Sequence, residues 1–238
     1  MTFTDTIKQT ITQLGADLVG IADADPLRAL KTDPPDLLQP YTRAVAIALR
    51  VPNDVFETIQ EQPTPIYATA YQASNRILDE IALKAANHLQ HSGYRALPVP
   101  AAQILDRQNW YGAISHKAVA RLAGLGWQGK NLLLITPEYG SRVRLVTLLT
   151  DAPLAVDAPI ENLCGKCRLC VDACPVDAIH NVNTDSHYSS REEAIDLQRC
   201  AEKVTVEFAG LPHIGAPMCG ICIKVCPFGR RIRRVEAA

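Results

Sequence analysis

All 8 cysteines of this chain fall within one stretch of 63 residues, Cys164 to Cys226, while the 163 residues before it contain none. Chemistry carried by thiols is therefore confined to the last third, and whatever fills the rest must fold without it. Within the stretch, Cys164, Cys167, Cys170 and Cys174 run up to Pro175. A second group, Cys219, Cys222 and Cys226, runs up to Pro227, and Cys200 stands alone between them. The amino terminus lacks the basic start and apolar block of a secretory signal. No apolar run reaches the roughly 20 residues that a bilayer span needs. The expected setting is the cytosol, with no membrane partner, where closely spaced cysteines indicate metal or redox chemistry rather than disulfides.

The run C-x2-C-x2-C-x3-C-P is a bacterial [4Fe–4S] signature, in which three thiolates wrap one cubane and the fourth reaches across to the other cluster. On that logic Cys164, Cys167, Cys170 and Cys226 hold a first cluster. Cys174, Cys200, Cys219 and Cys222 hold a second. Pro175 and Pro227 end the ligand loops without an N–H, limiting hydrogen bonds near cluster sulfur. Two structural zinc sites of four thiolates each would use the same residues, but such sites favour separated pairs of cysteines. Clusters that only brace the fold are a further alternative. Crossed ligands bring two clusters close together, which favours electron transfer.

Residues 1–160 are expected to form a mixed α and β domain and residues 161–238 the dicluster domain, an α+β chain overall. The periodicity of Ile7, Ile11 and Leu14 predicts a helix near Thr4 to Gly15, followed by a strand at Leu18 to Ala22. In the segment RAVAIALRVP, Val45, Ile47 and Leu49 alternate with alanines, which suits a strand whose small-residue face lies against a helix or a ligand. A long helix is predicted from Pro65 to Gln90, with Ile77, Ile81, Ala85 and Leu89 on one stripe and Gly93 beyond its end. A strand near Tyr94 to Val99 and a helix starting at Ser115 come next. Asn131 to Thr136 and Arg142 to Thr150 then read as a hairpin joined by the turn PEYG. Asp151 to Ile160 reads as a linker.

AGLGWQGKN places Gly124, Gly126 and Gly129 in a G-x-G-x-x-G pattern that also mimics a phosphate-binding loop. Both readings fail on context. A dinucleotide fingerprint follows a strand and opens a helix, whereas here a helical segment precedes and a strand-like one follows. A phosphate loop needs Ser or Thr after the lysine, and this chain has Asn131. What remains is a tight turn in which Gly126, Trp127 and Lys130 are candidates for cofactor contact, or in which Trp127 simply fills a core.

Taken together, SHKAVARLAGLGWQGKNLLLITPEYGSRVRLVTLLTDAPL, CGKCRLCVDACPVDAI, AIDLQRC and CGICIKVCP resemble the epoxyqueuosine reductase family and its shorter relatives, over roughly residues 110 to 228. That family is related to reductive dehalogenases. The resemblance implies a nitroreductase-like, cobalamin-binding-like domain followed by a ferredoxin-like domain with two [4Fe–4S] clusters feeding electrons to a corrinoid. The implied chemistry is a two-electron reductive removal of oxygen or another leaving group. The family's reductases carry a proton-donating Asp in a V-D-T segment before the helix that corresponds to SHKAVARLAG, and Asn109, Trp110 and Tyr111 stand there in this chain. The nearby proton carriers are Asp106, Tyr111 and His116, the last of which could equally be a helix-start residue bonded locally.

With 24 Lys+Arg against 25 Asp+Glu the formal charge is −1, which excludes a globally basic nucleic-acid binder. Arg230, Arg231, Arg233 and Arg234 gather in the tail as a phosphate-capable patch, with a solvated basic tail as the plainer reading. Only 12 residues follow Cys226, so a helical-repeat RNA-recognition domain is not expected, and tRNA is a weaker partner than a small-molecule substrate. The expected protein is an oxidoreductase fed by an external donor such as a ferredoxin or flavodoxin. Its alternative is a dicluster ferredoxin-like electron carrier without a catalytic site.

Overall fold

The computed structural model describes residues 1–230. Arg231, Arg233 and Arg234 of the predicted basic patch lie outside the described residues. In chain order the first half forms α1 (Phe3–Gln13), β1 (Leu18–Asp23), β2 (Arg43–Arg50), α2 (Asn53–Glu57), α3 (Pro65–His91), β3 (Ala96–Val99) and α4 (His116–Leu122). The second half forms β4 (Trp127–Gln128), β5 (Leu134–Ile135), β6 (Val143–Thr150), α5 (Leu169–Asp172), α6 (Arg191–Ala194), α7 (Leu197–Glu202) and α8 (Ile221–Lys224). These fall into two compact units. One comprises Met1–Arg50, Tyr71–Gly126 and Arg144–Glu161, and the other Val51–Ala70, Trp127–Val143 and the chain from Asn162 on.

The first unit is built on a sheet of order β1-β2-β6-β3. α1 starts on a capping box, with Thr2 accepting from Asp5 N and the Asp5 carboxylate accepting from Thr2 N. Ile7 and Ile11 of α1 join Ile21, Val45, Ile47, Val146 and Leu148 from the sheet in one core. Along α3, Leu78, Ile81, Ala82, Ala85 and Leu89 complete it. The buried stripe is thus displaced from the predicted one at its start. Ile77 is 44% exposed, because the face spacing that passes through Ile81 and Leu89 takes in Leu78 instead.

The alanines of β2 have a packing reason. β1 and β2 pair antiparallel with Gly20 opposite Ala46, and α4 packs on both strands. A Cβ on Gly20 would come within 2.2 Å of the Ala123 carbonyl oxygen. The small-residue face therefore receives a helix. The segment read as a linker is a strap on the same unit: Asp157 accepts from Lys8 Nζ at 2.6 and 2.7 Å and from Ile21 N at 2.7 Å, while Thr4 Oγ1 accepts from Ala155 N.

The predicted hairpin does not form. β5 pairs with β4, Trp127 facing Ile135 and Gln128 facing Leu134, whereas β6 runs between β2 and β3 in the four-stranded sheet. The turn PEYG survives as a bridge between Thr136 and Gly140. Past Gly140 the chain leaves its β5 partner, since Val146 and Leu148 are core residues of the first unit whereas Ile135 packs with Trp127 and Cys226 in the second. That unit otherwise consists of short helices and loops around the cysteines. α7 continues into a π-helical turn, Lys203–Phe208, a local widening often found beside functional groups. Among the described residues, no helix is long and apolar enough to cross a membrane.

Candidate iron–sulfur centre

Two small cavities in the second unit divide the eight cysteines between them. One is lined by Cys164, Cys167, Cys170 and Cys226. The other is lined by Cys174, Cys200, Cys219 and Cys222. These are the two sets of four expected from the crossed-ligand pattern, and none of the thiols is in a disulfide. Asn131 lines both cavities. Local folding explains the crossing. The loop after Cys164 leads Cys167 and Cys170 into α5, and Cys174 follows the end of that helix, where Ala178 N donates to Cys174 Sγ at 3.3 Å. Cys222 sits within α8 and Cys226 just beyond its last residue.

The donor set fits a cationic cluster. Burial pushes the Cys170 thiol up to about 11, and the neighbouring Cys164, Cys226 and Cys167 add to the effect. Cys219 is pushed up to about 11 by burial, with Cys200 and Cys174 adding repulsion. Burial raises Cys222 well above its ordinary value, aided by Cys219, Cys200 and Cys170, and burial also raises Cys226. Four thiolates gathered so closely in low dielectric need cations among them, and iron supplies that charge.

A polar frame holds the first cavity. Asn162 Oδ1 accepts from Cys164 N at 2.8 Å, and its Nδ2 donates to the carbonyls of Gln128 and Thr184. Trp127, 1% exposed, packs with Ile135 and Cys226 and donates from Nε1 to Cys164 Sγ at 3.3 Å. Lys130 is buried and donates from Nζ to the Cys167 carbonyl and to Asn181 Oδ1, each at 3.0 Å. Buried Arg142 donates to the carbonyls of Phe228, Lys224 and Cys226 at 2.6, 2.7 and 3.1 Å. Of the residues marked for cofactor contact, Trp127 and Lys130 thus have their polar atoms on the first cysteine loop, and Gly126 is buried in the turn just before β4. Asn162, Asn181 and Arg142 escaped the sequence reading. Only their proximity to the cysteine and PEYGS motifs signalled them.

The three proton-donor candidates belong to the first unit, where the structure joins two of them. Asp106 and Tyr111 bridge across a tight turn, and Lys31 Nζ lies 4.6 Å from the Tyr111 ring centre. Hydrogen bonds from the Asn109 side chain and backbone, then from Lys31, hold the Asp106 carboxyl well below the usual carboxylate range. Asp106 is therefore a carboxylate at neutral pH. His116 opens α4 apart from that pair. Its Nε2 lies 3.0 Å from the Pro100 carbonyl and its Nδ1 2.8 Å from Thr147 Oγ1. A carbonyl only accepts, so Nε2 carries the proton and the threonine hydroxyl donates to Nδ1. Burial holds its pKa down at about 4.

Residues 163–229 match the family model of a 4Fe-4S double cluster binding domain. Over 265 residues the chain is 29% identical to an epoxyqueuosine reductase of Vibrio cholerae, covering 94% of this chain and 66% of that protein. It is 31% identical to the Aliivibrio fischeri epoxyqueuosine reductase over 86% of this chain and 54% of that one. The chain thus spans between about half and two thirds of the length of these two relatives. Among solved structures, epoxyqueuosine reductase from Bacillus subtilis superposes with a TM-score of 0.65 at 26% identity, over 95% of this chain and 65% of that one. A catabolic reductive dehalogenase shares the fold, with a TM-score of 0.74 at 24% identity over 95% of this chain and 32% of that chain. The resemblance to epoxyqueuosine reductases and the mixed α and β architecture are thereby shown.

Proposed function

We propose that this chain is an iron–sulfur oxidoreductase of the epoxyqueuosine reductase-like type, passing electrons through two [4Fe–4S] clusters to a cofactor or substrate held by its amino-terminal domain. The observation that carries the reading is the division of eight thiols into two sets of four, around cavities that share Asn131. In this reading Cys164, Cys167, Cys170 and Cys226 ligate the first cluster, and Cys174, Cys200, Cys219 and Cys222 the second. Asn162 orients the first cysteine loop, and Arg142 holds the loop that carries Cys226.

A corrinoid is the cofactor the relatives suggest, one solved reductive dehalogenase being described through B12-dependent dehalogenation. When bound, such a group supplies a reactive metal that accepts the clusters' electrons. One feature supports a further polar ligand at the PEYGS turn: among the described residues, Ser141 Oγ is the buried side-chain oxygen left without a hydrogen-bond partner. Of the three proton carriers, Asp106 is ionised and His116 is a neutral ring bonded to Pro100, while Tyr111 carries a phenolic O–H. The donor of electrons is an external ferredoxin or flavodoxin. One relative was solved with an epoxyqueuosine-modified tRNA stem loop, which makes modified tRNA the first substrate class to assay beside small molecules.

The test is iron, sulfide and corrinoid content on one anaerobic preparation of the full chain. Eight irons, eight sulfides and bound corrinoid are expected. Eight irons with neither corrinoid nor flavin retained or bound would leave an electron carrier. Two zinc ions in place of iron would end the redox reading.

A further inference from the structure

The two cysteine cavities differ in the charge built around them. Hydrogen bonds reach sulfur at both cavities: Trp127 Nε1 donates to Cys164 on one side and Ala178 N to Cys174 on the other, both at 3.3 Å. Charge is not matched. Lys130, only 4% exposed, lines the first cavity. Both of its acceptors, the Cys167 carbonyl and Asn181 Oδ1, are neutral oxygens, so neither cancels its charge. Arg142, 1% exposed, holds the carbonyl of Cys226 itself. At the second cavity the lining cation is Lys203, which is ion-paired to Glu207 and partly exposed.

A cluster gains negative charge on reduction. Buried positive charge beside it stabilises the reduced form, and little screening weakens the effect where water is excluded. A partly exposed lysine already paired to a carboxylate contributes far less. We infer that the first cluster, held by Cys164, Cys167, Cys170 and Cys226, is the more easily reduced of the two, so that electrons pass from the second cluster to the first. The step moves one electron: the reduced second cluster returns to its oxidised state as the oxidised first cluster takes the electron, with a reduced low-potential ferredoxin or flavodoxin refilling the second. The inference rests on the proposal that both cavities hold [4Fe–4S] clusters.

The experiment is an EPR-monitored redox titration of the anaerobically reconstituted full chain, with iron and sulfide counted on every sample. The wild type is expected to show two separate reduction steps. Lys130→Met removes the buried charge and Trp127→Phe removes the N–H while keeping an aromatic ring. Each is expected to move the higher-potential step downward and leave the lower one in place, while Lys203→Met leaves the higher step unmoved. Should Lys130→Met fail to load iron, Trp127→Phe carries the same comparison. In Cys174→Ser, which should retain only the first cluster, the surviving step should match the higher one. Eight irons with the lower step shifted, or with neither step shifted in the loaded variants, overturns the inference. So does a surviving step that matches the lower one. A wild type without iron overturns the cluster proposal itself, a separate result.

Discussion

Arg142 Nη2 lies 3.1 Å from the carbonyl oxygen of Cys226, across 84 residues of sequence, and the same guanidinium also holds the carbonyls of Lys224 and Phe228. Lys224 is the last residue of α8, so the arginine answers a helix-end carbonyl and also fixes the loop that aims Cys226. One planar, always-charged fork spans all three acceptors, which a lysine ammonium could not do.

Replacing Arg142 by Met should therefore leave buried carbonyls unpaired and cost about 3 kcal/mol or more. Arg142→Lys should recover only part of the loss. Denaturant melts of the iron-loaded protein give the stability, and iron counts tell whether the first cluster leaves first. A variant as stable and as iron-rich as the wild type would sink this account of Arg142.

Gly229 meets the PEYGS turn directly. Its φ is +76°, and a Cβ there would lie 2.1 Å from the Tyr139 carbonyl carbon. Gly229→Ala combines a left-handed backbone penalty of about 1 kcal/mol with a clash against main chain that has no flexible end to yield. The expected result is poor retention of the first cluster, visible as loss of about half the iron, with the second cluster's EPR signal preserved.

Cys174 tests the crossed ligation. It lies in the first motif, yet it lines the cavity of Cys200, Cys219 and Cys222. Cys174→Ala should abolish the second cluster and spare the first. Mössbauer or EPR spectra in which only the first cluster is missing would refute the assignment.

Patterns that repeat at a short, fixed spacing could be read from the chain alone. Cysteine spacing sorts the thiols into the same two sets of four that line the two cavities, and the stretch RAVAIALR showed its strand and its small-residue face through a period of two. What escaped depended on contacts distant in sequence. Nothing local says that β6 leaves β5 to lie between β2 and β3, since either pairing satisfies a strand's hydrogen bonds. Nor does local sequence say that Trp127 donates to Cys164, or that Lys130 is buried against the carbonyl of Cys167. A tight GLGWQGKN turn would look the same with its tryptophan in any core. Gly140 and Gly229 become intelligible only together, as two glycines facing the chain segments around Phe228 and Tyr139.

Of the two residues bridged across the loop before α4, only Tyr111 offers an O–H. Tyr111→Phe should lower reductive turnover by the factor of roughly 100 or more typical of losing a positioned acid, with both clusters intact. Asp106→Asn removes the carboxylate that organises the turn around Asn109 and Lys31, so a smaller loss, weighted toward substrate binding, is expected. Single-turnover assays with chemically reduced protein separate the two effects from electron supply. Equal turnover in Tyr111→Phe and wild type would remove Tyr111 as the donor.

His116 gives the first unit a pH dependence whose sign is set by its burial. In the unfolded chain its imidazole takes a proton near its ordinary value of about 6.5, whereas in the folded protein it does so only at about 4. Between these values the unfolded state binds more protons, so stability rises with pH there. The contribution is present above about pH 6.5 and is lost as pH falls toward 4, by at most about 3 kcal/mol. Urea melts at pH 7.5 and pH 5 should show the loss in wild type and a flatter profile in His116→Gln, which has no titrating ring to protonate. Parallel pH profiles in the two proteins would show that His116 is not held as a neutral ring between Pro100 and Thr147.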